Sequence, residues 1–157
     1  MKAAAVSDIK SELVKLPPKR LVELCLRLAR YKKENKELLA FMLFDADDEQ
    51  SYVESIKIEI DEAFDELNST NWYFLKKGLR KILRSLSKCS KFTNLKESEV
   101  EMLLYFVKKM HQMGIVNNRN KAIGNLYETQ VAKTKKLIDL VHEDLQFDYK
   151  NQLEDLF

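Results

Sequence analysis

Two histidines, two cysteines, a few carboxylates and one run of lysines and arginines are the residues of this 157-residue chain whose chemistry could mark a function. His142 follows Asp139 by three positions, so on a single helix face the two would offer a pair of metal ligands. A zinc or di-metal site needs further ligands at fixed spacing, and none accompanies that pair or His111. Surface histidines and no metal are the expectation. Cys25 and Cys89 have no Cys-x-x-Cys partner, and each falls on or beside the apolar stripe of its own predicted helix. Small buried hydrophobes are expected there rather than a disulfide or a nucleophile. Gly78, Gly114 and Gly124 stand alone, so no phosphate-cradling loop or nucleophile elbow is present. Glu59 and Glu62 would serve as an acid–base pair only in a dry cleft that shifted their pKa values, and solvated faces explain them more simply. The expectation is a protein that is not an enzyme, with no catalytic residue, no cofactor and no small-molecule substrate.

The run of cations is the exception. Between Leu67 and Lys96 there is no acidic residue, while Lys76, Lys77, Arg80, Lys81, Arg84, Lys88, Lys91 and Lys96 are all positive. On a helical wheel of about 100° per residue counted from Lys76, the seven cations up to Lys91 occupy an arc of about 0–140°. Trp72, Leu75, Leu79, Ile82, Leu83, Leu86 and Cys89 occupy about 220–340° on the same wheel. The separation predicts Trp72 in the core, Phe74 on the boundary and Tyr73 at about 60°, among the lysines. A solvated face whose charge is balanced by flanking residues and the C-terminal helix is one reading. Such faces ordinarily mix signs to gain pairs one turn apart, whereas like charges at that spacing repel by a few tenths of a kcal/mol.

The preceding segment is the mirror image. From Asp45 to Glu66 ten acidic residues stand against Lys57 alone, and Glu54, Glu59, Asp61, Glu62, Asp65 and Glu66 lie opposite their apolar stripe. Two such helices pairing through their stripes turn both charged faces outward, so neutralisation between them is partial. A candidate contact surface follows: Tyr73, Lys76, Lys77, Arg80, Lys81, Arg84, Lys88 and Lys91. Its expected partner is an acidic protein surface or the acidic face of a second copy of the chain. Nucleic acid is the alternative, with cations for phosphates, Tyr73 for a base, and Asn117, Asn118, Arg119, Asn120 and Lys121 as further contacts. The net charge of +2 and the pI of about 8.4 speak against it, because nucleic-acid-binding domains commonly lie above about 9.

Helices must position these residues. Only 3 Gly and 2 Pro punctuate the chain, too few for the tight turns of a β architecture. Apolar periodicity predicts a short helix from Ser7 or Asp8 to Leu16, ended by Pro17-Pro18. Another over about 18–33 carries Leu21, Leu24, Cys25, Leu28 and Ala29 inward, and one over about 35–46 carries Leu38, Leu39, Met42 and Leu43 inward. Further helices fall at about 48–67, 71–91, 97–113 and 122–146, with Leu153, Leu156 and Phe157 docking as a last short turn. The fold class is therefore all-α. About seven helices form a stack of antiparallel helical hairpins or an irregular bundle in one domain over 1–157. The stack resembles helical-repeat layouts in general, HEAT and armadillo arrays among them, although no period of about 34–47 residues recurs. The start lacks the apolar stretch of a secretory signal, and no run approaches the roughly 20 residues of a membrane span. A cytoplasmic protein without membrane association is expected, because the apolar stripe of the basic helix is needed for the core.

Overall fold

The computed structural model of the chain describes residues 4–114 and 120–157. Asn117, Asn118 and Arg119, the further phosphate contacts proposed from the sequence, lie outside them. The chain is all-α: eight α-helices and no strand occur among the described residues. It divides into two compact units, one ending at Phe44 and the other running from Asp45 to Phe157.

The first unit holds α1 (Val6–Leu13), α2 (Pro18–Tyr31) and α3 (Lys33–Ala40). Pro17 is extended and Pro18 is the first helical residue of α2, where its missing N–H costs nothing. The Asn35 amide donates to the Leu28 carbonyl (2.9 Å), fixing the turn between α2 and α3, which pack together. The inward stripe predicted for α2 is only partly realised. Leu21, Leu24 and Ala29 are half-buried, but Leu28 is 61% exposed and Cys25 is exposed as well, contrary to the expectation of a buried thiol. The apolar side chains of α2 spread over more than half of its circumference, and α3, with eight residues, covers one side only.

After α3 the chain makes a π-helical turn, Phe41–Asp45. One extra residue per turn shifts the phase of the apolar stripe. Phe41 is therefore the buried residue, and Met42 and Leu43, expected inward, are exposed.

In the second unit α4 (Glu49–Asp65), α5 (Trp72–Cys89), α6 (Lys96–Gln112), α7 (Lys121–Ile138) and α8 (Glu143–Glu154) surround one core. α6 is its axis, with α4 and α7 packed against it, α5 against α4 and α8 against α7. Val100, Met102, Leu103, Leu104, Phe106, Val107 and Met110 are buried over rather more than half of the circumference of α6. The α4 stripe read from the sequence is in place, with Val53, Ile56, Ile60 and Phe64 buried. The Phe64 and Phe106 rings meet edge to face at 5.4 Å, a geometry that adds to the area they bury.

Polar ties fix α4 against its neighbours. Lys57 Nζ lies 3.1 Å from Glu101 Oε2, and Tyr149 Oη donates to Glu101 Oε1 at 3.2 Å, so one carboxylate on α6 holds both α4 and α8. Asp61 accepts from Tyr105 Oη (2.8 Å) and from Lys109 Nζ (2.9 Å). The hydroxyls of Thr93 and Ser98 donate to the two oxygens of Glu49. Tyr52 Oη donates to the Cys89 carbonyl (3.4 Å), tying α4 to the last turn of α5.

The helix predicted over 122–146 is two helices. α7 ends at Ile138, and His142 caps α8, its Nδ1 accepting from the Asp144 N–H at 3.4 Å. Lys135 and Lys136 in the last turn of α7 and Glu143 and Asp144 in the first turn of α8 each suit the helix dipole they meet. The break also separates Asp139 from His142, so they share no helix face: Asp139 pairs with Lys150 (3.1 Å) and His142 lies 3.3 Å from Asp144. Leu153 is buried within α8 and Leu156 is half-buried, while Phe157 remains exposed.

Candidate partner-binding face

The cationic helix begins at a cap. Asn71 has an extended backbone, and its side-chain oxygen accepts from the N–H groups of Tyr73 (2.9 Å) and Phe74 (3.5 Å), two donors that the first turn otherwise leaves without partners. From there Leu75, Leu79, Ile82, Leu86 and Cys89 are buried, as the wheel predicts, and fix the rotation of α5 about its axis. Gly78 allows the close approach of Leu67, whose Cδ2 a Cβ at that position would overlap.

That rotation turns the cations outward. Lys77, Arg80, Lys81 and Arg84 are exposed on α5, Lys76 and Lys88 are half-buried, and Lys91 is exposed in the turn beyond the helix. Among the described residues Lys76, Lys77, Arg80, Lys81, Arg84 and Lys91 make no ion pair and no side-chain hydrogen bond. Among the described residues no acidic group lies within ion-pair distance of these six cations, although Glu59 and Glu66 line one concavity together with Lys81. Glu54 pairs with Lys57 (2.7 Å) and Asp61 with Lys109, whereas Glu59, Glu62, Asp65 and Glu66 stand exposed along α4. α5 thus presents a ridge of exposed cations and α4 a row of exposed carboxylates, with no ion pair between these exposed groups among the described residues.

Tyr73, expected among the lysines, is 70% exposed. Trp72 departs from expectation: it is 39% exposed rather than in the core. It occupies the first position of α5, a turn before the first buried residue Leu75, so its angle on the wheel faces the core but its neighbours cover only part of the indole. Phe74 is half exposed and its ring meets that of Tyr73 edge to face at 5.4 Å. Three aromatic side chains thus stand at the N-terminal end of the cationic ridge.

Two concavities flank α5. One of about 250 Å³ lies between α4 and α5, with Ile60 and Ile82 in its apolar wall, Glu59 and Glu66 on one rim and Lys81 and Ser85 on the other. The second, of about 360 Å³, lies on the far side, where α5 meets α6 and α7, and brings Lys133 and Gln130 beside Arg80 and Arg84. Lys133 and Gln130 escape a reading of the sequence because they lie more than forty residues from the arginines; no local periodicity links them.

The remaining candidate groups are apart from this face. His111 is half-buried with its Nδ1 3.4 Å from Tyr127 Oη, and no group of three or more His, Cys, Asp or Glu side chains able to hold a metal occurs among the described residues. Glu59 and Glu62 are both exposed, so no dry cleft holds them as an acid–base pair. Among the described residues no helix is long and apolar enough to cross a membrane. No family model matches the chain, and neither a curated protein nor a solved structure is significantly similar to it.

Proposed function

We propose that the chain is a non-enzymatic binding or scaffold module whose α5 face, Lys76 to Lys91 with Tyr73, docks on an acidic protein surface. The observation that carries this reading is that the exposed cations Lys77, Arg80, Lys81, Arg84 and Lys91 have no acidic partner among the described residues. Held one turn apart, they repel one another, and a surface of opposite charge offsets that repulsion. The aromatic group at its end supplies what a charged rim lacks, because tyrosine, tryptophan and arginine are the side chains that most often dominate binding energy at interfaces. A second copy of the chain offers one such surface, the exposed carboxylates of α4, and two-fold symmetry lets each ridge meet its opposite. On this reading the protein works in the cytoplasm, where the thiols of Cys25 and Cys89 stay reduced.

Fluorescence anisotropy of labelled poly-L-glutamate against the full chain, at several salt concentrations, tests the reading. Sedimentation velocity over a range of protein concentration reads self-association in parallel. Salt-sensitive binding or self-association, weakened in Lys81→Glu/Arg84→Glu, is the expected result. Neither signal even at low salt, or no effect of the double reversal, overturns it.

A nucleic-acid ligand is the second reading, favoured by the exposure of Trp72 together with Tyr73 and Phe74, since bases stack on such rings beside a cationic groove. Tighter and steeply salt-dependent binding of labelled single-stranded RNA or duplex DNA than of poly-L-glutamate would select it.

A further inference from the structure

We propose that the concavity between α5, α6 and α7 is a subsite for a phosphate monoester carried by the protein partner, an inference that rests on the docking role given to α5. Arg80 and Arg84 enter it from successive turns of α5, and Ser87 follows one turn later on the same edge. Lys133 and Gln130, also one turn apart, enter from α7. Leu83 and the buried Leu103 supply apolar surface between these walls. The cavity measures about 360 Å³, ample for a phosphoryl group and the side-chain stem that bears it.

The donors are free to turn inward. Among the described residues the two guanidinium groups, the Ser87 hydroxyl and the Gln130 amide form no hydrogen bond, and Lys133 has only Glu99 near it, at 3.7 Å. Two uncompensated guanidinium groups and one partly compensated ammonium leave a local charge between two and three. A phosphate monoester, with about −1.5 to −2 at neutral pH and three strong acceptor oxygens, matches that charge. A carboxylate brings a single charge and two oxygens. The planar fork of each arginine grips phosphate through two parallel hydrogen bonds, a geometry a lysine cannot reproduce.

The arrangement also separates a terminal phosphate from a nucleic-acid strand. A phosphodiester backbone carries one charge per phosphate and is followed by cations in a row, such as Lys76, Lys77 and Lys81 provide. Lys133 stands outside that row, on α7, and shares one concavity with Arg80 and Arg84, so the three cluster about a hollow and not along a line. Phosphoserine-type recognition by clustered arginines uses this convergence.

The test is an NMR titration of the full, ¹⁵N-labelled chain with a Gly-Ser-rich peptide bearing one phosphoserine. Controls are the same peptide with aspartate or unmodified serine at that position, inorganic phosphate and oligothymidylate. Expected are shifts of the Arg80 and Arg84 Nε–H signals and of the Lys133 and Gln130 amides, with the phosphopeptide bound roughly tenfold more tightly than the aspartate peptide. Lys133→Gln and Arg84→Gln should bring that ratio close to one, whereas Lys77→Gln, on the ridge but outside the concavity, should weaken both peptides and preserve it. Equal binding of the phosphoserine and aspartate peptides overturns the subsite, and if poly-L-glutamate still binds, the docking reading survives that loss. Failure of poly-L-glutamate together with both peptides removes both. Inorganic phosphate binding as tightly as the phosphopeptide, or oligothymidylate binding more tightly at the same residues, overturns the assignment to a phosphorylated protein.

Discussion

Leu67 packs against the bare backbone of Gly78: a methyl group built on that glycine overlaps Leu67 Cδ2. A glycine in the middle of an 18-residue helix gives up about 1 kcal/mol relative to alanine, and here the notch it leaves receives a leucine from the end of the preceding helix. Gly78→Ala should therefore be close to neutral in the native chain, its gain in helix propensity offset by displacement of Leu67. In a Leu67→Ala background the same change should stabilise by about 1 kcal/mol. Urea unfolding of the four members of this cycle checks the coupling, and equal effects of Gly78→Ala in the two backgrounds would falsify it.

Asn71 holds the first turn of the cationic helix. Asn71→Ala removes the acceptor for the Tyr73 and Phe74 N–H groups and should cost about 1 kcal/mol. The fraying should also enlarge the red shift and quenching of Trp72, the chain's one tryptophan, whereas Asn71→Asp should keep the cap and leave both unchanged. Thermal melts and Trp72 emission report the two quantities separately.

The second unit should weaken in alkali. Burial, and then the Asp61 carboxylate, push the Tyr105 hydroxyl up to about 12, while burial and Glu101 push that of Tyr149 up to about 12. Burial opposes the charge on Lys57, but its hydrogen bonds to Glu54 and Glu101 outweigh that and raise its pKa. All three are held above their unfolded values, so the folded state retains protons the unfolded chain releases. Their contribution is complete below about pH 10 and is lost as pH climbs toward about 12. Unfolding midpoints should fall over that interval, and Tyr105→Phe and Tyr149→Phe should each flatten the decline. A pH-independent midpoint from about 9 to 11.5 would sink the prediction.

Phe106 is fully buried at the centre of α6, edge to face with Phe64. Phe106→Ala should cost about 3–5 kcal/mol, the range for emptying such a site, and Phe106→Leu should cost appreciably less because most of the volume remains filled. Charge reversal on the α5 ridge should have no such effect. Lys81→Glu relieves like-charge repulsion and should shift stability by a few tenths of a kcal/mol at most. Calorimetry on both variants compares the two directly.

The α5 face was legible because one helix contains it. A clean division between cations and apolar residues at helical spacing leaves only one rotation of α5 that buries Leu75, Leu79, Ile82 and Leu86, and the positions of the lysines follow. The α4 stripe was legible for the same reason. What escaped depends on where helices end and what lies beside them. Trp72 has the angle of a core residue, yet the wheel carries no information about how far along the axis a neighbour extends. Met42 and Leu43 follow the spacing of an α-helix, but the π turn at Phe41 changes the period itself. The break between α7 and α8 did leave a trace, the switch from Lys135 and Lys136 to Glu143 and Asp144, which the continuous apolar spacing of Val131, Ile138, Val141 and Leu145 overrode. Lys133 and Gln130 left none, since their neighbours on α5 are set by the packing of three helices.

The burial pattern has a kinetic face. No side chain of α1, α2 or α3 is buried, whereas eight of the seventeen residues of α6 are. Amide protons in the first three helices are guarded by little more than their own helical hydrogen bonds, and short helices open at small cost. Deuterium should enter them orders of magnitude faster than it enters α6, where exchange waits for the whole core to come apart. The same hierarchy decides where a protease cuts first: within the helices up to Tyr31, leaving a trimmed chain that still carries the entire cationic ridge.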